Sequence, residues 1–185
     1  MKPFSISFRD NKIEYPLFDQ LEIQEFKRLK LRMSGNDHPL TMVRDAAIQA
    51  LLYDQVDIDL MAYEPVVVYL NDEYWGFYGL REKYNRHYVE SHHGVDKDSI
   101  DLLKNPYSAL EIKEGDAVAW DELTDFIANN SMQNFSNYDF VNSKIDINEF
   151  MNYNIGQMYA ANYDWPANNV TVWRDRNNGK FRWML

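Results

Sequence analysis

Asn162-Tyr163-Asp164-Trp165-Pro166-Ala167-Asn168-Asn169 lies near the C-terminus, between an amphipathic stretch and a short hairpin signal. Asp164 and Asn169 stand five positions apart. A loop with that spacing can present a carboxylate to an attacking hydroxyl and an amide oxygen to a metal ion. Asp and Asn are abundant in this chain, so the spacing takes its meaning from the order of elements around it.

Pro166 stops anything helical before it. Upstream, Asp146-Ile147-Asn148-Glu149 opens a helix whose buried side is expected to be Phe150, Met151, Ile155, Met158 and Tyr159. Downstream, Val170-Thr171-Val172-Trp173 and Lys180-Phe181-Arg182-Trp183-Met184-Leu185 flank Asn177-Asn178-Gly179, a hairpin turn. Further back, residues 117–130 carry Val118, Leu123, Phe126 and Ile127 and read as a helix. Residues 95–110 read as a loop with one short strand at 100–103. A short helix is expected at 85–93, stopped by Gly94.

The N-terminal part reads as strands. Glu25-Phe26-Lys27-Arg28-Leu29-Lys30-Leu31-Arg32-Met33 has period two, with Leu29, Leu31 and Met33 on one face and Arg28, Lys30 and Arg32 on the other. Ser34-Gly35-Asn36-Asp37 breaks it. Thr41 is the expected N-cap of a helix running to Tyr53, with Asp45, Ile48 and Leu52 near one face. Pro65-Val66-Val67-Val68-Tyr69-Leu70 and Tyr74-Trp75-Gly76-Phe77-Tyr78-Gly79-Leu80 form the clearest hairpin, turned at Asn71-Asp72-Glu73.

Composition narrows the function classes. The chain has 185 residues, enough for one domain with a real core. Hydrophobic residues make up 45% and aromatics 15%, so the chain is globular. The net charge of −10 disfavours a general nucleic-acid binder, which needs a basic surface. It leaves room for one small basic pocket. Cysteine is absent, which excludes disulfides, thiolate metal sites and cysteine nucleophiles. No apolar run is long enough to span a membrane, and no signal core follows Met1-Lys2-Pro3.

The order is therefore strand, helix, strand, strand, linker, helices, loop, hairpin. That is the order of a kinase domain from its third strand to just before its metal-binding Asp. The chain resembles the spore-coat protein H kinase-like family (CotH). The matching pieces are Leu31-Arg32-Met33-Ser34-Gly35-Asn36-Asp37, Val43-Arg44-Asp45-Ala46, the stretch from Val68 to Lys83, and the loop from Asn162 to Asn169. The resemblance implies an α+β, atypical protein-kinase-like fold. A small antiparallel sheet lobe would occupy residues 1–84. A mostly helical lobe with the catalytic-type loop and terminal hairpin would occupy 85–185. It also implies ATP and Mg2+ as cofactors, and a partner protein phosphorylated on Ser or Thr. The spore surface, the cell envelope or secretion is the favoured location. In the family an acidic Asp-x-Asp motif follows the final hairpin. Here the chain ends at Leu185, so it is expected to be C-terminally truncated and inactive alone.

The resemblance assigns roles residue by residue. Asp164 would orient the acceptor hydroxyl; the plainer reading is an Asx-turn before Pro166. Asn169, or Asn168 with the register off by one, would bind the metal as a hard-oxygen donor. Arg32 and Lys30 would contact phosphate, against the alternative of a solvated strand face. Asp45 would pair with the strand cation, although a first-turn acid is also explained by the helix dipole. Glu82 and Lys83 fall where adenine would meet backbone groups, Leu80 and Arg81 offering theirs whatever their side chains; Glu82 and Lys83 could equally be a surface ion pair. His87, His92 and His93 read as surface histidines. Two other readings stay open: a non-catalytic kinase-like scaffold in coat or envelope assembly, and phosphotransfer to a small molecule.

Overall fold

A computed structural model describes residues 3–8, 11–177 and 179–185, and of Asn36 the backbone alone. The chain divides into two units, Met1–Tyr53 with Leu60–Gly94, and Asp54–Asp59 with Val95–Leu185. It is an α+β protein, and every pairing between its named strands is antiparallel.

The first unit holds β1 (Phe4–Ser7), β2 (Ile13–Glu14), β3 (Glu25–Phe26), β4 (Arg28–Arg32), α1 (Arg44–Leu52), β5 (Tyr63–Leu70), β6 (Glu73–Glu82) and α2 (Arg86–His93). Four strands form one sheet in the order β1-β4-β6-β5, and β2 pairs with β3 separately. The expected run over 25–33 is interrupted at Lys27, giving β3 and β4. In register, Lys30 faces Arg81, which faces Tyr63, and Arg32 faces Gly79. Side chains alternate across a sheet, so the apolar set of β4 takes the opposite face from Lys30 and Arg32. Leu29 and Leu80 join Phe18, Phe26 and Ala62 in the core there, with Leu31 packed against it. Phe18 and Phe26 meet edge to face at 5.3 Å.

The β5–β6 hairpin turns at Asn71 and Asp72, both at positive φ, as the twist of a tight antiparallel pair requires. Asn85 caps α2 by accepting from His87 N and Tyr88 N, and Gly94 ends it in the left-handed region. Thr41 does not cap α1. Helix α1 starts at Arg44, and the carboxylate of Asp37 accepts from Arg44 N at 3.0 Å and from the Thr41 hydroxyl at 2.6 Å. The short 3-10 turn Gly35–Asp37 thus supplies the cap, and Thr41 only orients it. The buried residues of α1 are Ala46 and Gln49, one position off the expected face.

The second unit holds β7 (Ile100–Lys104), β8 (Glu111–Glu114), α3 (Val118–Asn129), α4 (Phe135–Lys144), α5 (Ile147–Tyr159), β9 (Thr171–Asp175) and β10 (Arg182–Met184). Its sheet runs β10-β9-β7-β8. This is more strand than a mostly helical lobe implies. β7 lies between β9 and β8 with four of its five residues buried, so it shows no alternation. β8 is a charged edge strand with three exposed residues. The turn expected at Asn177-Asn178-Gly179 includes Asn178, which lies outside the described residues. Asn177 N and Gly179 N both bond to Asp175.

The buried side of α5 is also different. Met151, Ile155, Met158 and Tyr159 are exposed. The inward stripe is Glu149, Tyr153, Gly156 and Gln157. Trp183 of β10 causes this. Its backbone N–H needs an acceptor inside the core, and Glu149 supplies both carboxylate oxygens at 2.9 and 3.0 Å. Phe150 and Tyr153 lie against the Trp183 ring.

Candidate functional site

The sheet register and the start of α1 bring charged groups together in the first unit. Asp45, in the first turn of α1, pairs with Arg81 of β6, and its Oδ2 lies 3.5 Å from Arg32 Nη1 of β4. Gln49 Nε2 donates to Asp45 Oδ1 at 3.1 Å, and the Gln49 carbonyl accepts from Met61 N at 2.6 Å. Helix, strand and the segment before β5 are thereby tied through one amide. Burial pushes the Asp45 carboxyl up, but Arg81, Gln49 and Arg32 outweigh it and hold it below the usual range.

Arg81 is the residue that sequence reasoning passed over. Its side chain is only 4% exposed, against 48% for Arg32. One guanidinium nitrogen meets Asp45. Nε and Nη2 are buried without a hydrogen-bond partner among the described residues. The available signal was spacing: Arg81 lies two residues beyond Gly79, on the face that carries Lys30 and Arg32. A Cβ on Gly79 would come 2.4 Å from Tyr63 Cε2, so that glycine admits the Tyr63 ring beside the cluster.

Glu82 points to the other face and is buried. Its Oε2 accepts from Ala62 N at 3.0 Å, and its Oε1 lies 2.8 Å from His92 Nε2. It is therefore no surface ion pair with Lys83. His92 is half-buried too, stacked on Tyr88 at 4.0 Å between centroids. His87 is half-buried 3.7 Å from Glu90, so of the three histidines only His93 is exposed.

In the second unit, Asp164, Asn168 and Asn169 all lie exposed between α5 and β9. The Asx-turn considered for Asp164 is made by Asn162, whose Oδ1 accepts from Asp164 N at 3.2 Å. The Asp164 carboxylate has no partner among the described residues. Main-chain bonds shape the loop instead: Asn168 N donates to Asp164 O at 2.8 Å, and Asn169 takes a φ of 60°. The loop is braced from residues 105–108, with Ser108 Oγ donating to Ala167 O at 2.6 Å and Asn105 N to Val170 O at 2.7 Å.

The donors near Asp164 are one carboxylate and two neutral amides. Among the described residues, no three His, Asp or Glu side chains gather as a metal group would need. That set falls short of the anionic oxygen cage that magnesium favours. A phosphate fits the first unit better, because two nitrogens of a buried guanidinium there have no partner among the described residues.

The molecule is thus an α+β protein with antiparallel sheets, five α-helices among the described residues, and an arginine–aspartate cluster joining sheet to helix. A profile of the family described as CotH kinase protein matches residues 1–185, and the chain belongs to that family. This makes it a kinase-like protein. No curated protein matches it. No helix among the described residues is long and apolar enough to cross a membrane.

Proposed function

We propose that the chain is a kinase of the CotH type that transfers the γ-phosphoryl group of ATP to a Ser or Thr hydroxyl of a partner protein. The observation that carries this reading is the ionic link between strand and helix. Asp45 of α1 meets Arg32 of β4 and Arg81 of β6 in a sheet ordered β1-β4-β6-β5. A carboxylate holding a strand cation is what a kinase small lobe uses to fix its phosphate contact. Family membership supports the same reading.

In this assignment residues 1–84 form the small lobe and 85–185 carry the catalytic-type loop. Lys30 and Arg32 lie on the phosphate-facing strand, and the backbone near Glu82 meets adenine. Asp164, exposed and with no partner for its carboxylate among the described residues, orients the acceptor hydroxyl. The acceptor oxygen bonds to the γ-phosphorus as the bond to the bridging oxygen breaks, leaving ADP; the hydroxyl proton passes toward Asp164. The family resemblance places magnesium near Asn169 or Asn168, but two neutral amides do not by themselves make that site, and their metal role waits on a direct magnesium titration.

The test is transfer of label from γ-labelled ATP to a Ser- and Thr-rich acceptor protein. Label on Ser or Thr that depends on Asp164 supports the reading. Label that survives Asp164→Asn unchanged removes Asp164 from the reaction, and ATP binding without any transfer favours a scaffold role.

A further inference from the structure

We propose that Arg81 is the anion receptor of this protein, taking a phosphate oxygen between its Nε and Nη2, while Asp45 holds its other edge. The proposal rests on the kinase reading for the identity of the ligand, a nucleoside triphosphate. The receptor itself rests on geometry.

Nε–H and the adjacent Nη2–H lie along one edge of a guanidinium and point the same way. That edge can hold one phosphate oxygen between its two N–H groups. In Arg81 both groups are buried and unpaired among the described residues, while Nη1 is committed to Asp45. Leaving such donors without an acceptor in a buried place is costly, so the site favours a group that fills them. Arg81 borders a cavity with about 20 Å³ of room, with Arg32, Ser34, Asp45 and Tyr63 around it. That volume admits one water-sized group, hence a phosphate oxygen reaching inward from an anion that stays outside.

Charge points the same way. Asp45 Oδ2 is shared by Arg32 and Arg81, and Asp37 is matched by Arg44 at 3.5 Å. Three arginines therefore face two aspartates, and Lys30 stands opposite Arg81 in the sheet register. Arg32 is half-exposed and spends its Nη1 on Asp45, so it adds field but presents no preset fork. Arg81 is held in place by packing and by Asp45 before any ligand arrives.

The experiment measures pyrophosphate binding by calorimetry at low salt, using the whole chain. The parent should bind. Arg81→Gln should weaken binding about tenfold or more, as expected for losing charge-assisted bonds. Arg81→Lys should recover little of it, since it restores charge without the fork. Arg32→Gln should cost only a few-fold. Asp45→Asn keeps an oxygen for Arg81 and removes a repelling charge, so it should tighten binding; it also serves as the informative variant if Arg81→Gln does not fold. Absence of parental binding, a larger loss in Arg32→Gln than in Arg81→Gln, or no change in a folded Asp45→Asn overturns the proposal. The kinase reading is judged apart from this, by transfer from ATP. Pyrophosphate bound through Arg81 without transfer keeps the receptor and sinks the kinase. Transfer untouched by Arg81→Gln does the reverse.

Discussion

Asp45 of the first unit and Asp164 of the second each carry a role in the proposed function, and their partners are opposites. Asp45 meets Arg81, Arg32 and Gln49 within one hydrogen-bonded cluster. Asp164 lies exposed on a loop shaped by main-chain bonds, its carboxylate without a partner among the described residues. A carboxylate locked to guanidinium groups is a poor proton acceptor and a good positioning device. A free one can meet a hydroxyl. The contrast assigns phosphate handling to the first unit and hydroxyl handling to the loop. The loop nonetheless has firm stems. Glu149 pins α5, which precedes it, to β10, whose hairpin partner β9 follows it.

The largest expected effect breaks the contrast at its free end. Asp164→Asn keeps shape but loses charge and basicity, so turnover should fall by about 10²–10⁴-fold. ATP affinity should stay within a factor of two or so, because the nucleotide is held elsewhere. Single-turnover transfer alongside nucleotide titration reads both. A mutant that loses nucleotide binding and turnover together would place Asp164 in the phosphate contact.

Next in size is the stem. Glu149 is fully buried and accepts from Trp183 N with both carboxylate oxygens. Glu149→Leu strands that N–H and should cost about 1–3 kcal/mol in denaturant unfolding. Glu149→Gln retains an acceptor and should lose much less. Equal losses in the two variants would mean that volume, not the bond to Trp183, holds the stem.

The same residue carries a pH signature. Burial pushes the Glu149 carboxyl up from 4.5 to about 9, more strongly than Trp183 N and Arg182 pull it down. The folded state thus keeps a proton that the unfolded state has released. This contribution is complete below about pH 4.5 and is lost as pH rises toward 9. Within that window it should lower stability by about 1.4 kcal/mol per pH unit. Asp45 has the reverse sign: its lowered carboxyl stabilises the fold above the usual Asp range and ceases to as pH falls through its folded value. Unfolding measured from pH 5 to 9 for the parent and Glu149→Gln isolates the first effect. Parallel curves would show that Glu149 is charged in the folded protein.

The elements read correctly from sequence are those whose signals are local. Asn85 and Gly94 bracket α2, Asp146 opens α5 by accepting from Glu149 N, and Asn71-Asp72 turns the β5–β6 hairpin. What was missed depends on partners distant in the chain. Arg81 looked like an ordinary residue at a strand end, and only the register beside Lys30 and the seat of α1 make it a receptor. On α5 the apolar positions drew the wrong face, because Glu149, Tyr153 and Gln157 form an equally regular stripe and the core wanted a hydrogen-bond acceptor. α4 hides for a simpler reason: Val141 is its only buried residue, leaving Asn134, which accepts from Ser136 N, as its main sign. Spacing is what proposes Asp164, whereas nothing in the spacing points to the loop's brace at Ser108.

That brace gives the smallest expected effect and the finest test of the contrast. Ser108→Ala removes one exposed hydrogen bond to Ala167 O and leaves Asn105 N bonded to Val170 O. Global stability should fall by about 0.5–1.5 kcal/mol at most, since water can replace an exposed hydroxyl. The local consequence should be faster hydrogen exchange over residues 166–170, with exchange around Asp45 unchanged. Turnover should decline only a few-fold, because the Asp164 carboxylate needs no brace to keep its charge and Asn162 still shapes its turn. If Ser108→Ala instead lowers turnover as far as Asp164→Asn does, placement of the loop outweighs the chemistry of its acid. The free carboxylate would then be an anchored one, and the difference between the two acids would shrink to the charge of their partners, since both are exposed.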